Sequence, residues 1–519
     1  MKTIITMLSV LTCCSQIYSQ EFKWADVVFL TGKAQETYDD EIYMTTDVQG
    51  NMYITGKFTG EVVVTCKYTE VSDEGQQKVT TSIPLTSNGD FDIFLAKYNA
   101  NGVLEWAISH GGPGMDIGKA VACNSTGDVI VTGQFEGTID FGGSALSSSR
   151  KNNIFVAMYD SEGNLKWAQR AGGISKQPAV DTGTGIAVDA SDNIFVTGSF
   201  YGADDSGNYS APGKASFGDF QVTNAAQSTN SFVTKYTNDG NVQWVQTIAH
   251  YGQGGSKGIC LDANGNSYIT GVCSATFVCG GQVMNSNGIS DIYVAKFNAD
   301  GSNGWFKQFG SGEKFNPVNA AKYKDPFEYG TGICSDADGN IYVTGQFSDK
   351  CKFGNVELKT KSGASIFVLK MTGDGDVVWA KETGEKLISL SRAIVFDGKE
   401  AVFITGINSK YGGVDVENDG YFKSVTGRGI GFVEKYNISD GKLVWGGGAG
   451  SYGMSLAHDP QHNIYLVGSF ANQVKFDDDS RLDIKVKIDE EYKRGFFTSD
   501  KKITTYKAGT ALYMVKIAN

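Results

Sequence analysis

The stretch Asp336-Ala-Asp-Gly-Asn-Ile-Tyr-Val-Thr-Gly-Gln-Phe347 decides the fold, because its central phrase recurs seven times along the chain. The glycine that closes each copy follows the previous one by 61 to 77 residues, and an aspartate or asparagine stands nine residues before it. The closing glycines are Gly56, Gly133, Gly198, Gly271, Gly345, Gly406 and Gly468, and the matching acids or amides are Asp47, Asn124, Asp189, Asp262, Asp336, Asp397 and Asp459. A fixed period predicts a repeat architecture with one supersecondary unit per copy.

A second phrase follows each copy: an apolar strand with an aromatic residue, usually a lysine three places on, and a tryptophan twelve or thirteen places on. In the first unit these residues are Phe94, Lys97 and Trp106. The last unit lacks its tryptophan, but Trp24 stands ahead of the first unit in the same Lys-Trp-Ala setting as Trp167. We therefore expect the N-terminal strand to complete the last unit and close a ring, which also removes an exposed sheet edge.

Each unit consists of four expected strands joined by tight turns. Asn and Gly in turns such as Asp262-Ala-Asn-Gly-Asn266 supply the positive φ that hairpins require. Four-stranded sheets repeated radially form a β-propeller, and no capped apolar run with a 3.6-residue period predicts a long helix. The sequence therefore predicts an all-β, seven-bladed β-propeller, closed by the strand with Trp24, as one domain over residues 20–519.

The repeated residues resemble those of the bacterial SBBP family of seven-bladed β-propeller repeats. The shared signature is Asp-x-x-Gly-Asn-x-Tyr-Val-Thr-Gly-x-Phe, then Asp-x-Phe-Val-Ala-Lys-Tyr, then Gly-x-x-x-Trp-Ala. Asp336 to Phe347 and Asp291 to Phe297 match it closely, and the resemblance covers about residues 23–519. It implies an exported or cell-surface propeller, and it implies neither a single activity nor catalytic residues.

Composition excludes several classes of protein. The chain of 519 residues has 66 glycines but 7 prolines, which excludes collagen, and 41% hydrophobic residues exclude a disordered chain. A net charge of −12 argues against a nucleic-acid partner. After residue 20 no apolar run approaches the ~18 residues that a membrane-spanning helix needs. We expect a monomer without a transmembrane segment.

The N-terminus predicts export. Lys2 and the short apolar run Ile4 to Thr12 are typical of a signal peptide, cleaved after Ser19 to give a signal segment 1–19. The alternative is a lipoprotein acylated at Cys13 or Cys14. Either way the expected location is outside the cell or in the cell envelope. The seven remaining cysteines are too few for a disulfide scaffold and are expected at core positions, with a bridge between Cys273 and Cys279 across a local hairpin as the alternative.

Length variation is confined to one rim of the predicted ring. The two tight turns of every unit keep their lengths, whereas all large insertions fall in loops that emerge on the opposite rim, at 59–90, 201–230, 311–330 and 471–510. Loops on a rigid scaffold commonly carry binding residues. The candidates are Tyr201, Asp204, Asp205, Tyr209, Phe315, Tyr323, Phe327 and Tyr329. The alternative is that these loops only cover the ring or pack on neighbouring blades.

The sequence suggests no catalytic residues, no metal site and no cofactor. Calcium is conceivable at Asp336-Ala-Asp338-Gly-Asn340, but the glutamate of an EF-hand is absent and an Asx-capped turn explains all seven copies. We therefore expect a binding or scaffold module for a protein or glycan, working through the long loops. Two alternatives stay open: a polysaccharide hydrolase or lyase with acids in the channel or loops, and a structural envelope component without a specific ligand.

Overall fold

The fold is seen in a computed structural model. It describes residues 22–32, 42–72, 75–148, 152–173, 181–201, 214–223, 228–252, 254–288, 290–311, 328–383, 389–408, 431–448, 452–470, 474–475, 483–484 and 511–517. Every regular element in these ranges is a β-strand. The all-β class is confirmed, and the described part of the chain contains no helix that could cross a membrane. The predicted signal segment, with Cys13 and Cys14, lies outside these ranges.

Seven antiparallel sheets form the blades, and in each the four strands follow one another outward from the ring centre. The strands of blades 1 to 4 are Ile42–Thr46, Met52–Phe58, Asp92–Tyr98 and Leu104–His110; Ile117–Cys123, Val129–Phe135, Asn153–Tyr159 and Leu165–Gly173; Thr182–Val188, Ile194–Tyr201, Thr229–Tyr236 and Val242–His250; and Gly254–Leu261, Ser267–Cys273, Asp291–Phe297 and Asn303–Phe309. Those of blades 5 to 7 are Tyr329–Ser335, Ile341–Phe353, Val356–Met371 and Val377–Thr383; Ser389–Phe396, Ala401–Asn408, Gly431–Asn437 and Leu443–Gly448; and Tyr452–His458, Ile464–Phe470, Ala511–Ile517 and Phe22–Gly32.

The first strands of consecutive blades contact one another around a central channel, and the first strand of blade 7 contacts that of blade 1. A hydrogen bond from the Met44 N–H to Ser455 Oγ, 3.2 Å long, joins these two strands. The seven-bladed β-propeller predicted from the repeat is therefore confirmed. We call the rim with the two tight turns of each blade the short-turn face, and the opposite rim the long-loop face.

The fourth strand of blade 7 comes from the N-terminus. Phe22–Gly32 pairs with Ala511–Ile517, and Trp24 stands opposite Lys516. The same register places Trp106 opposite Lys97 in blade 1. Whether this strand is what holds the ring closed stays a prediction.

The hydrophobic core lies between blades rather than in one centre. One cluster, for example, combines Tyr342 and Val368 of blade 5 with Ile394, Val402 and Phe432 of blade 6. All seven cysteines of the described chain are free thiols: Cys66, Cys260, Cys273, Cys279 and Cys351 are buried, and Cys123 and Cys334 are half-buried. Their expected packing role is confirmed.

The Thr-Gly phrase is a packing requirement inside each blade. Thr344 Oγ1 donates a hydrogen bond to the Phe367 carbonyl of the third strand at 2.9 Å, and five other blades repeat this bond. Gly345 faces the first strand so closely that a Cβ would lie 2.1 Å from the Tyr329 carbonyl oxygen. No residue other than glycine fits there without displacing backbone.

The tryptophan side chains of blades 1 to 5 donate hydrogen bonds to the next blade, and in blades 1, 4 and 5 a lysine shares the acceptor. Trp305 Nε1 donates to the Gly373 carbonyl at 3.0 Å, and Lys296 Nζ donates to the same oxygen at 3.2 Å. The Lys296 ammonium also lies 5.4 Å from the centre of the Tyr268 ring of its own blade, in a cation–π contact. Trp106 with Lys97 and Trp379 with Lys370 repeat the shared carbonyl. These tryptophans and lysines therefore have a structural role.

Candidate functional site

Two of the eight predicted binding residues lie within the described chain. Tyr201 ends the second strand of blade 3, and its N–H donates to Asp181 Oδ1 at 2.7 Å. Tyr329 begins the first strand of blade 5, and its hydroxyl donates to Gln346 Oε1 at 2.9 Å. The remaining six, Asp204, Asp205, Tyr209, Phe315, Tyr323 and Phe327, lie outside the described residues. A shared binding surface for the eight stays a prediction.

Three of the described insertions form hairpins that extend the preceding blade. The hairpin Lys214–Phe217/Phe220–Thr223 of blade 3 pairs with the outer strand of blade 2. The hairpin Thr276–Cys279/Gln282–Asn285 of blade 4 pairs in the same way with blade 3, and Glu61–Ser72/Gly75–Thr86 of blade 1 pairs with blade 7. Unpaired outer strands are prone to pair with other chains, so these hairpins protect the edges that they cover.

Buried carboxyl groups tie the long-loop connections to the blades. Asp116 is fully buried, and it accepts hydrogen bonds from the N–H groups of Gly112 at 2.7 Å and Glu136 at 3.0 Å. Burial raises the pKa of Asp116 to about 6, although these two N–H groups act in the opposite direction. The acid therefore organises loop backbone beneath the surface and is not presented to a ligand.

Asp291 and Glu328 form a second buried acidic pair, where blade 4 meets blade 5. A Cβ on Gly310 would lie 2.3 Å from Asp291 Oδ1 and 2.9 Å from Glu328 Oε2, so the two carboxyl groups flank one point. Burial raises the pKa of Glu328 to about 9, and the nearby negative charge of Asp291 adds to this. Glu328 is therefore protonated at neutral pH. Asp291 Oδ1 is buried and has no hydrogen-bond donor among the described residues.

The first strands around the central channel share a repeated feature, a β-bulge. In six blades one residue is left out of the pairing opposite the Thr-Gly or Val-Gly step of the second strand. These bulge residues are Lys119, Thr184, Lys257, Thr331, Arg392 and Met454. Bulges redirect side chains and are frequent beside functional sites. The sequence signal is a residue between two small ones, as in Gly118-Lys119-Ala120, and the repeat analysis missed it.

Three of the bulge residues carry positive charge, and they occupy alternate blades 2, 4 and 6. Lys257 and Arg392 are exposed and Lys119 is half-exposed, although they lie on the innermost strands. Each first strand contacts a neighbouring first strand on both faces and pairs with the second strand along its outer edge. We call the three residues the channel cations, because they lie on the strands that surround the channel.

The channel also opens at the short-turn face, into a cavity of about 350 Å³. It is lined by Met44, Thr45, Thr46, Asp47, Val48, Cys123, Asn124, Val395, Leu456, Ala457, His458 and Pro460. The acid in this lining is committed to its own turn, because Asp47 Oδ1 accepts from the N–H groups of Gln49 and Asn51, both at 2.9 Å.

The acids of the first turns form Asx turns. Asp336 Oδ1 accepts from the N–H groups of Asp338 at 3.0 Å and Asn340 at 2.8 Å, and Oδ2 accepts from Asn340 Nδ2 and the Tyr342 hydroxyl, both at 2.8 Å. This geometry is that of the Asx-capped turn expected from the sequence. Within the described ranges, no group of three or more His, Cys, Asp or Glu side chains is placed to hold a metal ion.

Fold and repeat together define a β-propeller of the repeat class. Residues 166–199, from the outer strand of blade 2 to the second strand of blade 3, match the family model SBBP, described as a beta-propeller repeat. The chain therefore carries the SBBP-type repeat that its sequence resembles.

A curated relative and two solved structures show more distant similarity. An uncharacterized WD repeat-containing protein of Acanthamoeba polyphaga mimivirus is 25% identical over 284 residues, which is 48% of this chain and 19% of that protein. The match thus spans about a fifth of the length of that relative. A protein of unknown function from Bacteroides caccae aligns at 10% identity and a TM-score of 0.31, covering 60% of this chain and 78% of its own. A gluconolactonase from Xanthomonas campestris aligns at 10% identity and a TM-score of 0.31, covering 75% and 90%. Scores this low support no functional inference.

Proposed function

We propose that this protein is an exported binding module, secreted or held in the cell envelope, which binds a protein or glycan at its long-loop face. One observation carries the proposal: every large insertion is on one rim, whereas the other rim has only short turns of fixed length. Those short turns are closed by their own hydrogen bonds, as at Asp336. A rigid ring with one elaborated face is suited to recognition.

The hairpins separate two roles within the insertions. The described hairpins of blades 1, 3 and 4 are used to extend neighbouring sheets. Ligand contacts are then assigned to the remaining parts of the long loops and to the channel opening between them. A deletion test should accordingly preserve Lys214–Phe217 and Phe220–Thr223, because their loss would expose the edge of blade 2.

The test compares the protein of residues 20–519 with two variants, in which residues 203–212 or 313–326 are each replaced by a short Gly-Ser linker. Binding is measured by pull-down from an envelope extract and on a glycan array, and folding by thermal unfolding. We expect at least one replacement to abolish capture while the melting temperature is unchanged. A matched variant carries Lys442→Ala, on an exposed short turn, and should bind normally. Capture that persists in both loop variants would contradict the proposal.

A further inference from the structure

We propose that the carboxyl groups of Asp291 and Glu328 form a pH-sensitive latch between blades 4 and 5, closed while the pair holds a proton and opened when both groups are ionised. Asp291 begins the third strand of blade 4, and Glu328 directly precedes the first strand of blade 5. The opened state is a local separation of these two blades at the long-loop face, in which the rest of the ring stays folded.

The pair ties the start of blade 5 to blade 4. Glu328 Oε2 accepts the N–H of Ser311, two residues beyond the outer strand of blade 4, at 3.1 Å. The N–H of Glu328 donates to Ser290 Oγ at 3.1 Å, directly beside Asp291. Asp291 Oδ2 accepts a hydrogen bond from Gln308 Nε2 of the outer strand. The two carboxyl groups therefore hold the third and outer strands of blade 4 against the first residues of blade 5.

The two acids are too close for both to be ionised in the closed junction without a cost. Asp291 Oδ1 and Glu328 Oε2 lie 2.3 Å and 2.9 Å from one point, the position that a Cβ on Gly310 would take. They are thus within the roughly 4–6 Å over which like charges oppose each other's ionisation. Both residues are buried, and Asp291 Oδ1 has no hydrogen-bond donor in the described chain. A second negative charge at this place would have neither solvent nor a donor to stabilise it.

The groups that face the pair from the second strand of blade 5 do not compensate for its charge. Burial raises the pKa of Glu328, and the negative charge of Asp349 acts in the same direction as that of its partner acid. The buried Cys351 thiol also faces the pair, because its pKa is raised by burial and then by the two carboxyl groups. Lys350 and Lys352, on the same strand, lower the pKa of a glutamate on the adjoining strand instead.

Equivalent junctions elsewhere in the ring show what the second acid adds. Between blades 2 and 3 the two positions hold Asn153 and Asp181, and Asn153 Nδ2 donates to Asp181 Oδ2 at 3.4 Å. Asp181 Oδ2 also accepts the N–H of Gly173 at 2.6 Å. Between blades 1 and 2 both positions are again acids, Asp92 and Asp116. The fold therefore accepts an amide beside the acid, and an acid in its place makes the junction depend on a proton.

Proton binding sets the direction of the response. In the closed junction the pKa of Glu328 is about 9, whereas a glutamate in water ionises near 4.5. Between these two values the closed junction binds one more proton than the opened junction, so a rise in pH favours opening. One proton changes the equilibrium between the two states by up to about tenfold per pH unit. Local openings of this kind need far less free energy than unfolding of the whole protein.

Labelling of Cys351 measures the opening, because this thiol is 0% exposed in the closed junction and faces the pair. The protein of residues 20–519 is treated with iodoacetamide from pH 6 to 8.5, and labelled peptides are quantified by mass spectrometry. The rate at Cys351 is divided by the rate at Cys66, a buried reference thiol on the hairpin of blade 1. This ratio removes the general increase of thiol reactivity with pH, and unfolding of the whole protein would expose both thiols alike. We expect the ratio to rise at least about tenfold over this range.

Two variants separate the latch from other effects of pH. Glu328→Gln should leave the ratio nearly constant, because glutamine carries no proton to lose. Asp291→Asn should weaken the rise, because it removes one of the two charges and copies Asn153 of blade 2. The matched control is Glu357→Gln, on an exposed part of blade 5, which should behave like the parent protein. Thermal unfolding checks that each variant is folded.

A ratio that does not change with pH in the parent protein would overturn the latch, and so would an equal rise in Glu328→Gln. If Glu328→Gln does not fold, Asp291→Asn decides the question, since an undiminished rise in that variant would also reject the pair. The labelling uses no ligand. Its failure would therefore leave the proposed binding function unaffected.

Discussion

Replacing Glu328 by glutamine should stabilise the protein at neutral pH and remove part of its pH dependence. Glu328 is 4% exposed, its Oε2 accepts the Ser311 N–H at 3.1 Å, and burial raises its pKa to about 9. In the unfolded chain a glutamate ionises near its ordinary value of 4.5. Between these two values the folded state binds one more proton than the unfolded state, so the free energy of unfolding falls as pH rises.

The size of the effect follows from that difference. Holding Glu328 protonated at pH 7 costs about 3 kcal/mol, at about 1.4 kcal/mol per pH unit above its ordinary pKa. Glutamine keeps an oxygen for the Ser311 N–H and is neutral at every pH, so it does not carry the cost of holding a proton. Glu328→Gln should therefore match the parent protein near pH 4.5 and be more stable by up to about 3 kcal/mol at pH 7.

The assay is urea unfolding followed by tryptophan fluorescence at half-unit steps from pH 4.5 to 8.5. The control is Glu61→Gln, because Glu61 is exposed at the start of a hairpin. The difference between Glu328→Gln and the parent should widen steadily with pH, and the difference for Glu61→Gln should stay near zero. Parallel curves for the parent and Glu328→Gln would refute the assignment of a protonated Glu328.

Three further predictions concern the ring itself. Gly345→Ala should lower the free energy of unfolding by about 1–3 kcal/mol or more, because its Cβ would lie 2.1 Å from the Tyr329 carbonyl oxygen. The control Gly447→Ala, whose Cβ would have its nearest contact at 3.5 Å, should leave stability nearly unchanged. Equal melting temperatures for the two variants would contradict the prediction. Trp305→Phe should lower the free energy of unfolding in urea by about 1 kcal/mol, because an aromatic ring is kept but the 3.0 Å hydrogen bond to the Gly373 carbonyl is lost. Unchanged stability would mean that this bond does not join the blades. Deleting residues 20–32 should lower the melting temperature of the whole protein in one transition, because the third strand of blade 7 would lose its outer partner; an unchanged melting temperature would show that the N-terminal strand does not hold the ring closed.

Local pattern was enough to predict the blades because each blade is built from contacts close in sequence. The turn acid, the Thr-Gly step and the tight turns all act within one unit, as in Asp336 to Gly345. Because the same phrase recurs in seven units, a pattern that is weak in one copy becomes a strong prediction of the fold. The rim with insertions also followed from the loop lengths, since the two turns of constant length in each unit must lie on the same side of an up-and-down sheet.

The candidate site was less accessible to this reasoning. The lengths of the loops predicted that the long-loop face carries the site. The sequence did not indicate that the hairpin Lys214–Phe217/Phe220–Thr223 extends blade 2. The channel cations were overlooked because a bulge cannot be recognised from residue alternation, which assumes regular pairing. Only the ring shows that Lys119, Lys257 and Arg392 lie on strands around the same channel.

The sequence by itself determined the number of blades, their strand order and the rim on which variation falls, because these depend on periodic short-range signals. The tertiary structure decided which groups from different blades meet. Asp291 and Glu328 flank the same glycine only where blade 4 meets blade 5, and their shared burial sets the pKa of Glu328. Likewise, the Trp305 indole finds its carbonyl acceptor in the next blade. Such contacts depend on how separate units pack in space, and this information is not contained in the repeat of any one unit.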